Sequence, residues 1–267
     1  MASQLVFLKL GGSLITDKNT PHHAKMDVIH RLAAEIAGAL TAKPDVQLLL
    51  GHGSGSFGHV PAKKYKTREG VSSTEQWQGF AEVWHEARAL NTMVMDALRA
   101  NNLPAMAFPP CAQVITESHK IIKWDTSQIF TSLKKGILPL IYGDVVFDNT
   151  LGGTILSTEE QFEYLAPILK PDRILLAGIE SGVWMDYPAR NELLEKITPH
   201  NFSKADPNLA ASESPDVTGG MRSKVHSMMT LIQNRYCREV VIFSGAAPGN
   251  LYQVLTGNNL GTKIAQD

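Results

Sequence analysis

Cysteine is scarce: the 267 residues hold two, Cys111 and Cys237, in neither a CxxC pair nor a dense framework. That argues against a disulfide scaffold and a zinc cluster, and fits a reducing compartment. No apolar run approaches the roughly 20 residues that cross a bilayer. An excess of one charge is also missing: 25 Lys and Arg face 26 Asp and Glu, a formal net charge of -1. Such a balance leaves no electrostatic footprint for nucleic acid or an anionic membrane. The chain runs directly into the apolar segment Leu5–Leu10, without the charged, apolar and small-residue order of a secretory signal. A cytoplasmic protein is expected. Repeats, low-complexity tracts and long linkers are absent too. What is present is 43% hydrophobic and 19% charged residues, enough apolar side chains for one compact unit spanning residues 1–267.

Short apolar runs without polar alternation recur at Leu5–Leu10, Val46–Leu50, Ala105–Phe108, Ile137–Tyr142, Ile174–Ala177 and Val240–Phe243. They read as strands buried on both faces. Helical spacing lies between them, over Met26–Leu40 and Thr74–Ala100, from Ser157 (a capping box with Glu160) and after Gly220. The alternation predicts α/β architecture around a largely parallel sheet. The polar stretch Pro199–Pro215 reads as a loop.

Ligands of open α/β sheets gather outside the carboxyl ends of the strands, and four such turns have unusual composition. Lys9-Leu10-Gly11-Gly12-Ser13, followed by Thr16-Asp17-Lys18, combines adjacent glycines with lysines, as an anion site requires. The plainer alternative is a strand-to-helix turn with surface lysines, but an ammonium at an apolar strand end needs a partner. Gly51-His52-Gly53-Ser54-Gly55-Ser56-Phe57-Gly58-His59 contains Gly53-x-Gly55-x-x-Gly58. A dinucleotide fingerprint would continue into an apolar helix; Pro61-Ala62-Lys63-Lys64-Tyr65-Lys66 follows instead. A P-loop would carry lysine and Ser or Thr where His59 and Val60 stand. A phosphate cradle closed by the His59 imidazole fits better, while His52 reads equally as packing or as a ligand contact. Tyr142-Gly143-Asp144 offers an aspartate that could orient Lys9 and Lys18, bind magnesium through water, or simply be a solvated turn residue. Thr218-Gly219-Gly220-Met221 opens a helix whose N-terminus attracts phosphate, with Lys224 one turn in. No acid–base pair, metal-ligand cluster or nucleophile elbow stands out. Phosphoryl transfer accounts for that, since it asks mainly for alignment and charge neutralisation.

Together these residues resemble the amino acid kinase superfamily and, within it, the isopentenyl phosphate kinase family. Lys9-x-Gly11-Gly12-Ser13 is the shared pattern; Ser56-Phe57-Gly58-His59 is the more specific one. The resemblance implies a three-layer αβα sandwich around an open, mostly parallel sheet, with ATP on the C-terminal half and the acceptor on the N-terminal half. Lys9 and Lys224 would stabilise the transferring phosphoryl, and Lys18 would hold the ATP phosphates. Gly11, Gly12, Ser13, Gly182, Gly219 and Gly220 would complete the ATP site. His59, with the Gly53 and Ser54 N–H groups and the close-packed Gly55 and Gly58, would bind the acceptor's phosphate, and Asp144 would orient the lysines. It further implies magnesium arriving with ATP, no protein metal ligand, a homodimer, and isopentenyl diphosphate as product for isoprenoid synthesis. Alternatives are a sister kinase for a carboxylate or phosphonate acceptor, or a non-catalytic nucleotide-binding regulatory or storage protein. Three segments depart from the family pattern: Ser54 stands for a glycine, Ala177–Trp184 differs from Thr-Asp-Val-Asp-Gly-Val-Tyr, and Ser157–Gln161 lacks the usual aspartate. The stripe Trp77, Phe80, Ala81 and Trp84 reads first as core; one or two members could line an apolar tail pocket opposite Val145 or Ile155.

Overall fold

The computed structural model describes residues 3–17, 19–202 and 220–267. Lys18, Gly219 and most of the Pro199–Pro215 stretch therefore lie outside the described residues.

The apolar runs form a sheet of eight strands in the order β12-β14-β13-β9-β1-β2-β6-β3. In chain order these are β1 (Gln4–Leu10), β2 (Val46–His52), β3 (Ala105–Ala107), β6 (Leu138–Tyr142), β9 (Arg173–Gly178), β12 (Lys196–Ile197), β13 (Glu239–Ser244) and β14 (Thr262–Ala265). Every neighbouring pair is parallel except β13 with β14. β2 runs two residues beyond the expected Leu50, so Gly51 and His52 are strand residues paired with Ile141 and Tyr142.

Alternation along β1 divides the core. Val6, Leu8 and Leu10 face one cluster with Leu32 and Ile36 of helix α2 (Met26–Ala42) and Leu90 and Val94 of α4 (Thr74–Ala100). Phe7 faces the other, with Phe162 and Leu165 of α6 (Thr158–Leu169) and Val225 and Met229 of the helix Met221–Gln233. This gives the three expected layers, and period-2 geometry puts Lys9 on the Phe7 side, toward the start of α6. The expected capping box is present there: Ser157 Oγ accepts from the Glu160 N–H at 3.1 Å and Glu160 Oε2 from the Ser157 N–H at 2.7 Å.

A second sheet, absent from the sequence reading, has the order β5-β4-β7-β8, from β4 (Val114–Glu117), β5 (Lys120–Trp124), β7 (Asp144–Asp148) and β8 (Gly152–Leu156). A further difference lies after the glycine loop. The chain forms a ten-residue helix, α3 (Gly55–Lys64), over a segment not assigned to a helix from the sequence. It buries Phe57, Pro61 and Ala62, and it crosses α4 closely because Gly79 leaves room for the Tyr65 ring. A Cβ on Gly79 would lie 2.1 Å from that ring.

Candidate active site

The carboxyl ends of β1, β2 and β6 are tied together by their own backbone. Gly11 N–H donates to the Ala177 carbonyl (2.8 Å), Gly53 N–H to Leu10 (3.0 Å) and Gly143 N–H to His52 (3.1 Å). Thr158 Oγ1, at the start of α6, donates to the same His52 carbonyl at 2.7 Å. The two glycine turns interlock. A Cβ on Gly12 would lie 2.6 Å from the Gly55 nitrogen, and one on Gly53 2.9 Å from the Gly12 nitrogen and 3.9 Å from Lys9 Cε. Backbone meets backbone there, so no side chain can be accommodated. The turn after β1 and the turn after β2 thus share one wall, with Lys9 beside it. Two adjoining phosphate cradles of this kind bring a donor and an acceptor into line.

The lysines converge on a carboxylate that the sequence reading passed over. Glu159, at the second position of α6, forms ion pairs with Lys9 and with Lys224 (3.7 Å). Burial alone would push its pKa up, yet Lys9 and then Lys224 hold it down to about 2, so it stays ionised. Asp144, expected to orient the lysines, opens β7. It is 1% exposed, its Oδ1 accepts from the Val145 N–H at 2.8 Å, and its Oδ2 has no hydrogen-bond partner among the described residues. Burial pushes its pKa up to about 8, against the Val145 N–H and the neighbouring Cys111 thiol. Burial, then Asp144, pushes that thiol up to about 11. No ion pair joins Asp144 to Lys9 or Lys224 among the described residues, and Lys18 lies outside them; the carboxylate that pairs with Lys9 and Lys224 is Glu159.

The acceptor-side loop needs a second correction. Gly53 N–H, expected to bind phosphate, is consumed by Leu10. The Ser54 N–H has no partner among the described residues, and its nitrogen lies 3.8 Å from where a Cβ on Gly143 would stand. The Thr158 nitrogen lies 3.9 Å from that same point. Helix geometry leaves this first N–H of α6 without an intrahelical acceptor. The Ser54 and Thr158 nitrogens thus adjoin one point, which the Leu156 carbonyl oxygen also approaches to 3.8 Å, and half-buried His59 stands on the first turns of α3. Gly55 holds φ +51° against Thr16, whose Oγ1 accepts from the Ser56 N–H at 3.0 Å. The Ser54 side chain lies along α3, where a Cβ on Gly58 would be 2.4 Å from its Oγ. It makes no side-chain cap.

Ser13 sits in the short helix Gly12–Ile15, and Gly220 is the N-cap of Met221–Gln233 with no side-chain cap. Gly182 packs on β14: a Cβ there would lie 2.5 Å from Thr262 Oγ1. Phe80 joins Val145 and Ile155 in a small satellite cluster, with Ala62, Val71 and Val83. Trp77 and Trp84 stay over a third exposed. Among the described residues no group of three or more His, Cys, Asp or Glu could hold a metal ion, and no helix is long and apolar enough to cross a membrane. Glu159 is committed to Lys9 and Lys224.

Glu159 and Thr158 carried a usable signal. A capping box after a strand fixes where a helix begins, and therefore which residues stand at its N-terminus facing the lysine-bearing turns.

Residues 4–244 match the amino acid kinase family. An isopentenyl phosphate kinase from Methanocaldococcus jannaschii is 38% identical over 97% of this chain and 98% of its own length. One from Methanothermobacter thermautotrophicus is 31% identical, with 97% and 98% covered. A solved structure described as an isopentenyl phosphate kinase superposes with a TM-score of 0.82 at 30% identity, covering 98% of this chain and all of the other. The chain belongs to the amino acid kinase family, in the branch formed by the isopentenyl phosphate kinases.

Proposed function

We propose that this protein is an ATP-dependent kinase that transfers the γ-phosphoryl group to isopentenyl phosphate, giving isopentenyl diphosphate and ADP. One observation carries the reading: two glycine cradles share a wall, and two lysines meet on Glu159 beside it. The acceptor's phosphate sits on the Ser54 and Thr158 N–H groups with His59, and an oxygen of it attacks the γ-phosphorus of ATP. ATP lies along Gly11, Gly12 and Ser13 and the Gly219–Gly220 helix start. Lys9 and Lys224 face the charge that develops on the transferring group, and Lys18 serves the ATP phosphates. Glu159 keeps the lysine ammonium groups in place. Magnesium enters as the counterion of ATP, with no protein residue assigned to hold it. The isoprenoid tail extends toward Phe80, Val145 and Ile155.

The N-terminal half serves the acceptor and the C-terminal half the nucleotide, within one unit. Two free cysteines accord with a cytoplasmic setting. A homodimer completes the reading, and light scattering in solution tests it. ADP release across a panel of isopentenyl phosphate, glutamate and fosfomycin tests the function. Turnover confined to isopentenyl phosphate is expected. Preference for a carboxylate or phosphonate, or inertness toward all three, would overturn the reading in favour of a sister kinase or a regulatory protein.

A further inference from the structure

His52 is fully buried, yet every polar atom it has is engaged around the acceptor cradle. Its carbonyl takes the Gly143 N–H and the Thr158 hydroxyl. Its ring stacks on Tyr142, centroids 5.4 Å apart and planes within 5°. Nδ1 lies 3.1 Å from the Gly53 carbonyl, and Nε2 3.2 Å from the atom placed as Asn91 Oδ1 on α4. A neutral imidazole donates once. Burial first, and the nearby Lys9 charge with it, push the ring toward its neutral form. The Gly53 carbonyl can only accept, so the ring proton belongs on Nδ1. Nε2 then accepts from Asn91, with the amide turned to present its nitrogen.

The consequence follows from peptide geometry. In a planar trans peptide the C=O and the next N–H point in opposite directions. The Gly53 carbonyl is held from below by a buried ring, so the Ser54 N–H is aimed the other way, into the cradle. We propose that His52 is a positioning residue for the acceptor: its Nδ1–H pins the Gly53 carbonyl and thereby presents the Ser54 N–H to the acceptor's phosphate. This rests on the reading of the loop as the acceptor site. A donor fixed before the substrate arrives is worth more than one that must reorient.

Three variants separate positioning from packing. His52→Phe keeps the ring and its stack but loses the donor. His52→Asn places an amide nitrogen near the Nδ1 position, and His52→Gln near Nε2. The expected result is a KM for isopentenyl phosphate raised about tenfold in His52→Phe, the size of one lost hydrogen bond, with the KM for ATP unchanged. His52→Asn recovers most of that loss and His52→Gln does not. An unaltered acceptor KM in His52→Phe, or rescue by Gln and not Asn, overturns the proposal. Thermal unfolding shows which variants fold. If His52→Phe does not, the Asn and Gln pair alone decides. His59→Ala separates the two levels. A raised acceptor KM there with none in His52→Phe sinks this inference alone, whereas an unaltered acceptor KM in His59→Ala sinks the loop assignment and the inference with it.

Discussion

Glu159 holds two ammonium groups with one buried carboxylate, a geometry that breaks badly when the charge is removed. Glu159→Gln is expected to lower kcat by about 10- to 100-fold, since lysines left without their shared anion lose their aim. Glu159→Asp, which keeps the charge, should retain part of the rate; steady-state kinetics on both variants checks this, and equal losses would contradict it. The two carboxylates of this region also predict opposite pH dependences. The folded pKa of Glu159, held near 2 against 4.5, contributes stability above pH 4.5 that is lost as pH falls toward 2. Asp144 has its folded pKa raised to about 8 from 3.8, so the folded chain keeps a proton that the unfolded chain releases. Stability therefore falls as pH rises through that window, by at most about 1.4 kcal/mol per unit. Asp144→Asn should remove this slope, gaining on the parent between pH 5 and pH 8 in urea unfolding. Parallel curves for the two proteins would refute it.

Elements place these residues more than their own types do. Lys9 meets Glu159 because β1 alternates and α6 begins at Ser157, both of which are readable from the chain: an apolar run and a capping box. The helix Thr74–Ala100 is likewise found as expected, bounded by the Ser73–Gln76 capping box. Ser73→Ala should cost about 1 kcal/mol in thermal or urea unfolding and leave kinetics alone. Helix α3 escaped the sequence reading because its content is glycine, proline and lysine; it is held by burial of Phe57 and Ala62 against neighbours, not by propensity. The sheet of β4, β5, β7 and β8 escaped for a related reason, since its strands are four or five residues long, β4 and β5 are partly exposed, and their pairing is tertiary. The interlock of the two glycine turns could not be read at all, because it depends on which backbones touch. Gly12→Ala is its test: with Gly55 backbone 2.6 Å from the added carbon, loss of nearly all turnover is expected in a chain that still folds.

At the scale of the molecule, the parallel sheet gathers the ends of β1, β2 and β6 on one edge, and α6 aims its N-terminus at the same place. Three of the sequence motifs therefore lie side by side, because the strands that carry them end there. They were insufficient to say which groups face the ligand. Gly53 N–H is spent inside the protein, and the carboxylate paired with Lys9 and Lys224 is Glu159. The central claim is a division of labour: the loop ending at His59 grips the acceptor's phosphate, while the Glu159-bound lysines serve the group in transit. Steady-state kinetics of His59→Ala against both substrates tests it most directly. The account predicts a KM for isopentenyl phosphate raised about 10- to 100-fold, as for a lost charge-assisted hydrogen bond, with the KM for ATP unchanged. A KM for ATP that rises while that for isopentenyl phosphate stays at the parent value would contradict it.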